Sequence, residues 1–139
     1  MKWRTSLDAV LALPNVEHKP HVSDRENATY GWSSAVHWLP YDAALPFNTA
    51  CCPLRLFTAL ASGRAIVSAP IPECALYPQW VRTYSNSNAV EAVDAIRRSL
   101  DESRDASAQI AFARANTWQQ RASSFVNLIE DRRPVEMYA

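Results

Sequence analysis

The feature that most constrains the fold is a short apolar segment, AIVS at residues 65–68, enclosed by residues that interrupt regular structure. Gly63 precedes the segment, and Pro70 and Pro72 follow it. A strand with one solvent-exposed face would alternate apolar and polar side chains, whereas a continuous apolar run is typical of a strand covered on both faces. The segment therefore predicts a central strand of a parallel sheet.

The residues before this strand predict a helix that begins near Pro53 and stops at Gly63. Proline suits the first turn of a helix, where its missing N–H has no intrahelical partner to lose. Glycine readily adopts the left-handed conformation that ends many helices. Apolar residues recur between them at helical spacing, which predicts a face packed against the sheet. That predicted face consists of Leu54, Phe57, Leu60 and Ala61.

The remaining segments continue the alternation of helices and strands. The patterns predict helices over 6–13, 24–32, 89–100, 104–115 and from 117 onward, strands over 15–19, 35–39 and 81–84, a long loop over 41–52, and a frayed tail over 131–139. Asn88 followed by Glu91 resembles a helix-capping box, and Val93, Ile96 and Leu100 form the predicted apolar stripe of the helix after it. The predicted fold class is α/β, a Rossmann-like three-layer domain with a mostly parallel sheet.

Size and charge narrow the possible functions. The chain has 139 residues, which favours one domain, and its 14 basic and 14 acidic residues give a formal net charge of zero. This balance gives no indication of binding to nucleic acid or to an anionic membrane surface. No apolar run approaches the roughly 20 residues of a membrane span. Asp8 interrupts the apolar part of the N-terminal segment, so we expect no signal peptide and a cytoplasmic protein.

The cysteines and histidines predict no metal site and no bound cofactor. Cys51, Cys52 and Cys74 lack the CxxC spacing, so reduced thiols are expected. Cys52 stands at a helix start, which lowers thiol pKa, but a small buried residue is the favoured interpretation over a nucleophile. His18 and His21 would point to opposite faces of a strand, which disfavours metal binding.

Most of the large aromatic residues are expected to pack in the core. Trp38 and Trp118 are expected in the core, and Trp80 is expected beside a cleft. His37 lies within the predicted strand AVHWL, where it should donate a hydrogen bond in the core or at the sheet edge.

The stretch PLRLFTALASGRAIVSAPIPE, which starts at Pro53, resembles a motif of known enzymes. It is similar to "P-L-K-L-x-E-x-L-A-x-G-x-P-V-V-S-T-P-I-P-E" in glycosyltransferases of the two-Rossmann-domain (GT-B) architecture, in the group related to family 4. NVEHKPHVSDRE, AVHWLPYDAALPFN, VRTYSNSNAVEAVDAIRRSL and NTWQQRASSFVNLI resemble flanking family segments in the same order. The resemblance covers about residues 10–130 and implies an incomplete C-terminal half of a GT-B fold.

The resemblance also implies where a nucleotide-sugar donor would bind. In that family the helix start after the long loop faces the donor's diphosphate, and Arg55 stands where the family has a lysine. A helix N-terminus favours phosphate, and a guanidinium can contact phosphate oxygens bidentately. The alternative is a solvated surface arginine. The other donor-binding residues implied are Asn48, Thr49, Pro53, Leu54, Thr58 and Glu73, and the alternative for Glu73 is capping of the following turn.

Two positions depart from the family motif. Family members carry a glutamate at the position of Thr58, where the carboxylate accepts hydrogen bonds from the donor's ribose, and a threonine offers a single hydroxyl instead. The first acid of the family's spaced pair would fall at Ala50. Catalytic residues are therefore unassigned, and the chain alone is expected to be weakly active or inactive.

The resemblance begins part way through the C-terminal domain of such enzymes. It therefore implies that hexose transfer needs a separate N-terminal acceptor domain or subunit, and an exposed sheet edge could favour self-association. Two functions stay open: the nucleotide-sugar-binding part of a glycosyltransferase, or a non-catalytic α/β binding or assembly domain derived from one.

Overall fold

In a computed structural model the described residues, 2–85 and 88–131 with side chains from residue 7, form eight helices and a three-stranded sheet. The elements are α1 (Lys2–Leu11), α2 (Asp24–Ser33), β1 (Val36–Leu39), α3 (Pro46–Ala50), α4 (Leu54–Ser62), β2 (Ala65–Ser68), α5 (Pro72–Ala75), β3 (Val81–Thr83), α6 (Ala89–Asp101), α7 (Ala106–Ala115) and α8 (Trp118–Asp131). The predicted α/β class is confirmed. The assignment to a Rossmann-like GT-B domain stays a prediction.

The sheet is parallel throughout, in the order β1-β2-β3. Every residue of β2 is buried, as predicted for a central strand. Because alternate side chains of a strand point to opposite faces, complete burial means that both faces of β2 are covered. Leu39 and Thr83 both pair with Ser68, so the carboxyl ends of the three strands lie side by side. The loops that follow β1 and β2 at these ends lead to α3 and α5.

Helix α4 begins and ends where the sequence predicts. Gly63 has a φ of 67°, and its N–H donates to the Leu60 carbonyl. The predicted apolar face is confirmed at Leu60 and in part at Phe57, but it is wrong at Leu54 and Ala61, which are exposed. The buried residues of the helix are Leu56, Ala59 and Leu60. Because apolar residues occur around most of α4, the sequence does not determine which side is buried. Contacts with α2, α7 and the sheet determine it instead.

Gln109 joins α7 to the turn between α4 and β2. Its side chain is 1% exposed, and its Nε2 donates to the carbonyls of Arg64 at 3.0 Å and Ala59 at 3.4 Å. Buried polar groups are normally paired in this way, because an unpaired one loses its hydration without compensation. The interaction fixes the turn that leads into the central strand.

Helix α6 packs against the sheet with a different stripe from the one predicted. Ala92, Ala95 and Ser99 are its buried residues, whereas Val93 and Leu100 are 44% and 53% exposed. Small side chains let the helix approach the strands closely, so hydrophobicity alone selects the wrong face here. The predicted cap is confirmed, because the Asn88 side chain accepts from the N–H groups of Val90 and Glu91.

Other predictions were tested at single segments and residues. Residues 15–19 form no strand, and the predicted loop over 41–52 contains α3, which starts at Pro46. Helix α2 is confirmed, with a capping box between Ser23 and Glu26. The predicted burial of Trp38 and Trp118 is wrong, since they are 52% and 72% exposed. The predicted fraying beyond Asp131 concerns residues 132–139, which lie outside the described part of the chain.

His37 connects the edge strand β1 to the end of α4. Its Nε2 lies 2.9 Å from Ser62 Oγ, as predicted for a hydrogen-bonding histidine at the sheet edge. Burial lowers the pKa of His37, the Arg64 charge lowers it further, and a hydrogen bond to the Gly31 backbone opposes both. In the described helices no segment is long and apolar enough to cross a bilayer.

The left-handed glycine gives a matched test of the fold. Gly63→Ala should lower the free energy of unfolding by about 1–2 kcal/mol from the backbone conformation alone, and its Cβ would lie 2.9 Å from Ile110 Cδ1. Gly31→Ala is the control: its Cβ would meet His37 at 3.5 Å, an ordinary contact, and alanine favours a helix by roughly 0.5–1 kcal/mol. Urea denaturation measures both. Equal destabilisation of the two variants would contradict this account of Gly63.

Stability should also depend on the protonation of His37. Because its pKa is lower in the folded chain than the ordinary 6.5, the unfolded chain binds the proton more tightly. The stabilising contribution is present above pH 6.5 and is lost as the pH falls toward the folded pKa. We expect the free energy of unfolding to fall as the pH drops from about 7.5 to about 5.5. His37→Gln should flatten this dependence, and an unchanged slope in that variant would contradict it.

Candidate functional site

The candidate site lies around the start of α4, on the side of the sheet where the carboxyl ends of the strands lie. The residue before the helix is Pro53, and no side chain caps the first turn. Uncapped N–H groups and the positive end of the helix dipole favour an anion at such a position. Two grooves adjoin this helix, one toward α2 and one toward α8.

Arg55 and Thr58 line the first groove, which has a volume of about 400 Å³ and which we call the α2–α4 groove. Both side chains are exposed, and they lie one turn apart on the same helix. Asn27 and Tyr30 of α2 also line the groove, as do residues of β1. The structure therefore places two predicted donor-binding residues in one groove: Arg55, the predicted phosphate-binding cation, and Thr58, which stands where the family has a glutamate.

One exposed aromatic side chain lines this groove, that of Tyr30, which is 41% exposed. The ring of Trp38 lies on the other face of the sheet, because its strand neighbour His37 contacts Ser62 of α4 and successive side chains of a strand point to opposite faces. On that face the indole N–H of Trp38 donates to the Tyr84 hydroxyl at 3.1 Å. Thr58 Oγ1 donates to the Leu54 carbonyl at 3.2 Å, so its oxygen can still accept a hydrogen bond.

The other predicted donor-binding residues are distributed around the same helix start. Asn48 Nδ2 donates to the Asp42 carbonyl at 2.8 Å, and Thr49 Oγ1 donates to the Pro46 carbonyl at 2.8 Å, so both side chains hold the α3 segment together. Pro53 is buried as the residue before α4. Leu54 lines the second groove rather than the first.

Glu73 belongs to a cluster on the α8 side of the helix start. Its carboxylate accepts from the Tyr77 hydroxyl at 3.2 Å. Burial raises the pKa of Tyr77, and the neighbouring Glu73 charge raises it further. Cys52 is exposed, which corrects the prediction of a buried residue. Burial of its sulfur and the Glu73 charge raise the pKa of Cys52, and Arg121 opposes them.

Arg121 was not singled out by sequence reasoning. Its guanidinium lies 4.5 Å from the ring centre of Phe57, a cation–π contact. The residue is the arginine of NTWQQR, a segment whose resemblance to the family is weak on its own. Around the start of α4 the cations Arg55 and Arg121 thus lie on different sides, and Glu73 accompanies the second.

An aromatic cluster supports the Glu73 side of the site. Tyr77 packs 5.2 Å from Phe112 and 6.4 Å from Phe57, measured between ring centres. Trp80, predicted beside a cleft, is half-buried and lies 4.8 Å from Phe112. These contacts hold the segment that follows α5 against α7, and Tyr77 of that segment donates to Glu73.

The chemistry available in the α2–α4 groove is that of binding. Its described lining residues include a guanidinium, an amide, hydroxyls and aromatic rings, but no aspartate or glutamate. His37 also lines it, and its ring is engaged with Ser62. Among residues 2–85 and 88–131, no three His, Cys, Asp or Glu side chains converge as a metal site requires.

Comparison with known proteins adds no family assignment. No family model matches the chain, and neither curated proteins nor solved structures gave a match.

The Cys52 environment gives a test of the Glu73 cluster. Because its pKa is raised, Cys52 should be alkylated by iodoacetamide more slowly at neutral pH than an unperturbed exposed thiol. Glu73→Gln removes one of the causes of the raised pKa and should speed the alkylation of Cys52. Peptide mass spectrometry reads Cys52 separately from Cys51. A slower reaction in Glu73→Gln would contradict the assigned electrostatics.

Proposed function

We propose that this chain is a nucleotide-sugar-binding domain of glycosyltransferase type, which holds its donor in the α2–α4 groove. The observation that carries the proposal is the meeting of Arg55, Thr58 and the exposed Tyr30 in one groove beside an uncapped helix start. The motif resemblance selects a nucleotide-sugar among the anions that such a groove could hold.

Each part of the donor has a matching group. The diphosphate binds at the start of α4 and is contacted by Arg55, because both the helix terminus and the guanidinium favour phosphate. The ribose lies next to Thr58, whose single oxygen accepts from one hydroxyl. The nucleobase stacks on Tyr30, and the Asn27 amide offers it both a donor and an acceptor. Hexose transfer would require an acceptor domain supplied by another segment or subunit.

A second function is favoured by one observation. Thr58 donates its hydroxyl proton to its own helix, so the ribose position has no acid and its hydroxyl is partly engaged. A scaffold that lost its donor carboxylate could serve as a non-catalytic α/β binding or assembly domain. Direct measurement of nucleotide binding separates the two functions.

Calorimetric titration with UDP, GDP and their sugars tests the proposal. Saturable binding is expected, and Arg55→Ala should weaken it by about tenfold to a hundredfold, because a hydrogen bond to a charged group is worth roughly 1.5–3 kcal/mol. Arg97→Ala is the matched control, since Arg97 is an exposed arginine on α6. Thr58→Glu should strengthen binding by a similar factor. Absence of binding in both the native chain and Thr58→Glu would exclude a donor site and favour the assembly domain.

A further inference from the structure

His37 is a half-buried ionisable residue in the wall of the α2–α4 groove. Arg55 lines the same groove, and no aspartate or glutamate is among the described lining residues. Histidine is the side chain whose charge ordinarily changes near neutral pH. The described lining of the groove therefore carries one positive charge when His37 is neutral and two when it is protonated.

The hydrogen bonds of Ser62 determine the direction of its contact with His37. Ser62 Oγ donates its proton to the Ala59 carbonyl at 2.6 Å and accepts from the Arg64 N–H at 3.1 Å. A hydroxyl has only one proton to donate. In the 2.9 Å contact between His37 Nε2 and Ser62 Oγ, the ring N–H is therefore the donor and the hydroxyl oxygen accepts.

A second acceptor also favours a protonated ring. The hydrogen bond with the Gly31 backbone raises the pKa of His37, as a carbonyl that accepts from the ring does. Gly31 lies in the last turn of α2, where carbonyls lack intrahelical partners and the helix dipole favours a cation. A neutral imidazole has one N–H, whereas the charged ring has two. The two hydrogen-bond partners of His37 therefore suit the charged ring better than the neutral one.

Burial and positive charge oppose the protonated ring. Burial is the largest cause of the lowered pKa of His37, and the Arg64 charge lowers it further. The groove adds Arg55 from α4 and the ionisable Tyr30 from α2, and β2 places the uncharged Ile66 beside His37 in register. Every permanent charge in this set is positive. A bound anion would therefore shift the balance toward the charged ring.

We propose that anion binding in the α2–α4 groove is coupled to the protonation of His37. An anion held by Arg55 lies in the same groove as the ring and stabilises its charged form. By linkage, the charged ring increases the affinity for the anion by the same factor. The coupling deepens the proposed function and rests on it for the identity of the anion, the diphosphate of a nucleotide-sugar. The coupling itself requires only an anion of phosphate type.

NMR titration of the histidines in the full chain tests the coupling without a nucleotide. Sulfate is the probe, because it stays a dianion over the range in which histidine titrates, about pH 5–8, and chloride at equal ionic strength is the reference. His18 and His21 are exposed and serve as internal controls. Sulfate should raise the pKa of His37 by more than it raises those of the two controls. Arg55→Ala should abolish this difference.

Calorimetric titration with UDP-glucose and GDP-mannose tests the coupling for the proposed donor. Neither compound has the terminal phosphate of a free nucleotide, which titrates near pH 6 and would obscure the result. Binding should be about fivefold tighter at about pH 5.5 than at about pH 7.5, the lower end of typical coupling between two sites. His37→Gln keeps a donor for Ser62 and should bind equally at both pH values. His21→Gln is the matched control and should keep the dependence, and cooperative thermal unfolding verifies that each variant folds.

The two measurements distinguish failure of the coupling from failure of the donor site. A sulfate shift at His37 no larger than at His18 and His21, or a nucleotide-sugar affinity that does not change with pH, would overturn the coupling. A selective sulfate shift that persists in Arg55→Ala would place the anion outside the groove and overturn it as well. If sulfate shifts His37 selectively through Arg55 but neither nucleotide-sugar binds, the coupling is supported and the donor assignment is wrong.

Discussion

The complete burial of β2 is the constraint on which the other elements depend. A four-residue strand between two neighbours has all its backbone ladder positions paired and both faces covered, so helices must lie against it. Gly63 is the residue that lets α4 stop and the chain turn into this strand, and Gln109 holds that turn from α7. The position of the α4 start, and with it Arg55, follows from this arrangement.

The two sides of α4 carry different chemistry. Toward α2 the groove is polar and aromatic, with Arg55 and Thr58 exposed in it. Toward α8 the groove is apolar. On this side Glu73 and Arg121 have opposite effects on the pKa of Cys52, which Glu73 raises and Arg121 lowers. A hydrophilic anion is favoured on the first side, where no carboxylate lines the groove. The second side suits an apolar side chain, because transferring apolar surface from water is its main source of affinity.

Much of the topology was predictable from the sequence because it depends on local chemistry. Gly63, the Ser23–Glu26 capping box and the AIVS strand each determine a boundary through backbone preference or burial. The buried faces of α4 and α6 were not predictable, since contacts with α2 and α7 determine the buried side of α4 and α6 buries small residues in place of larger ones. The sequence placed Arg55 and Thr58 on one helix, but Asn27 and Tyr30 of α2 join them only through tertiary contacts. Arg121 was missed for the same reason.

The hydrogen bonds of Gln109 have a consequence for the order in which the chain folds during synthesis. Its amide reaches carbonyls 45 and 50 residues earlier in the chain, and Ala113 completes the core one turn later. The sheet and α4 leave the ribosome before these residues exist, so the turn between them waits with unpaired carbonyls. Domains generally complete folding as units after their last core segment emerges. A nascent chain that ends before α7 would therefore expose the apolar surface of α4 to chaperones.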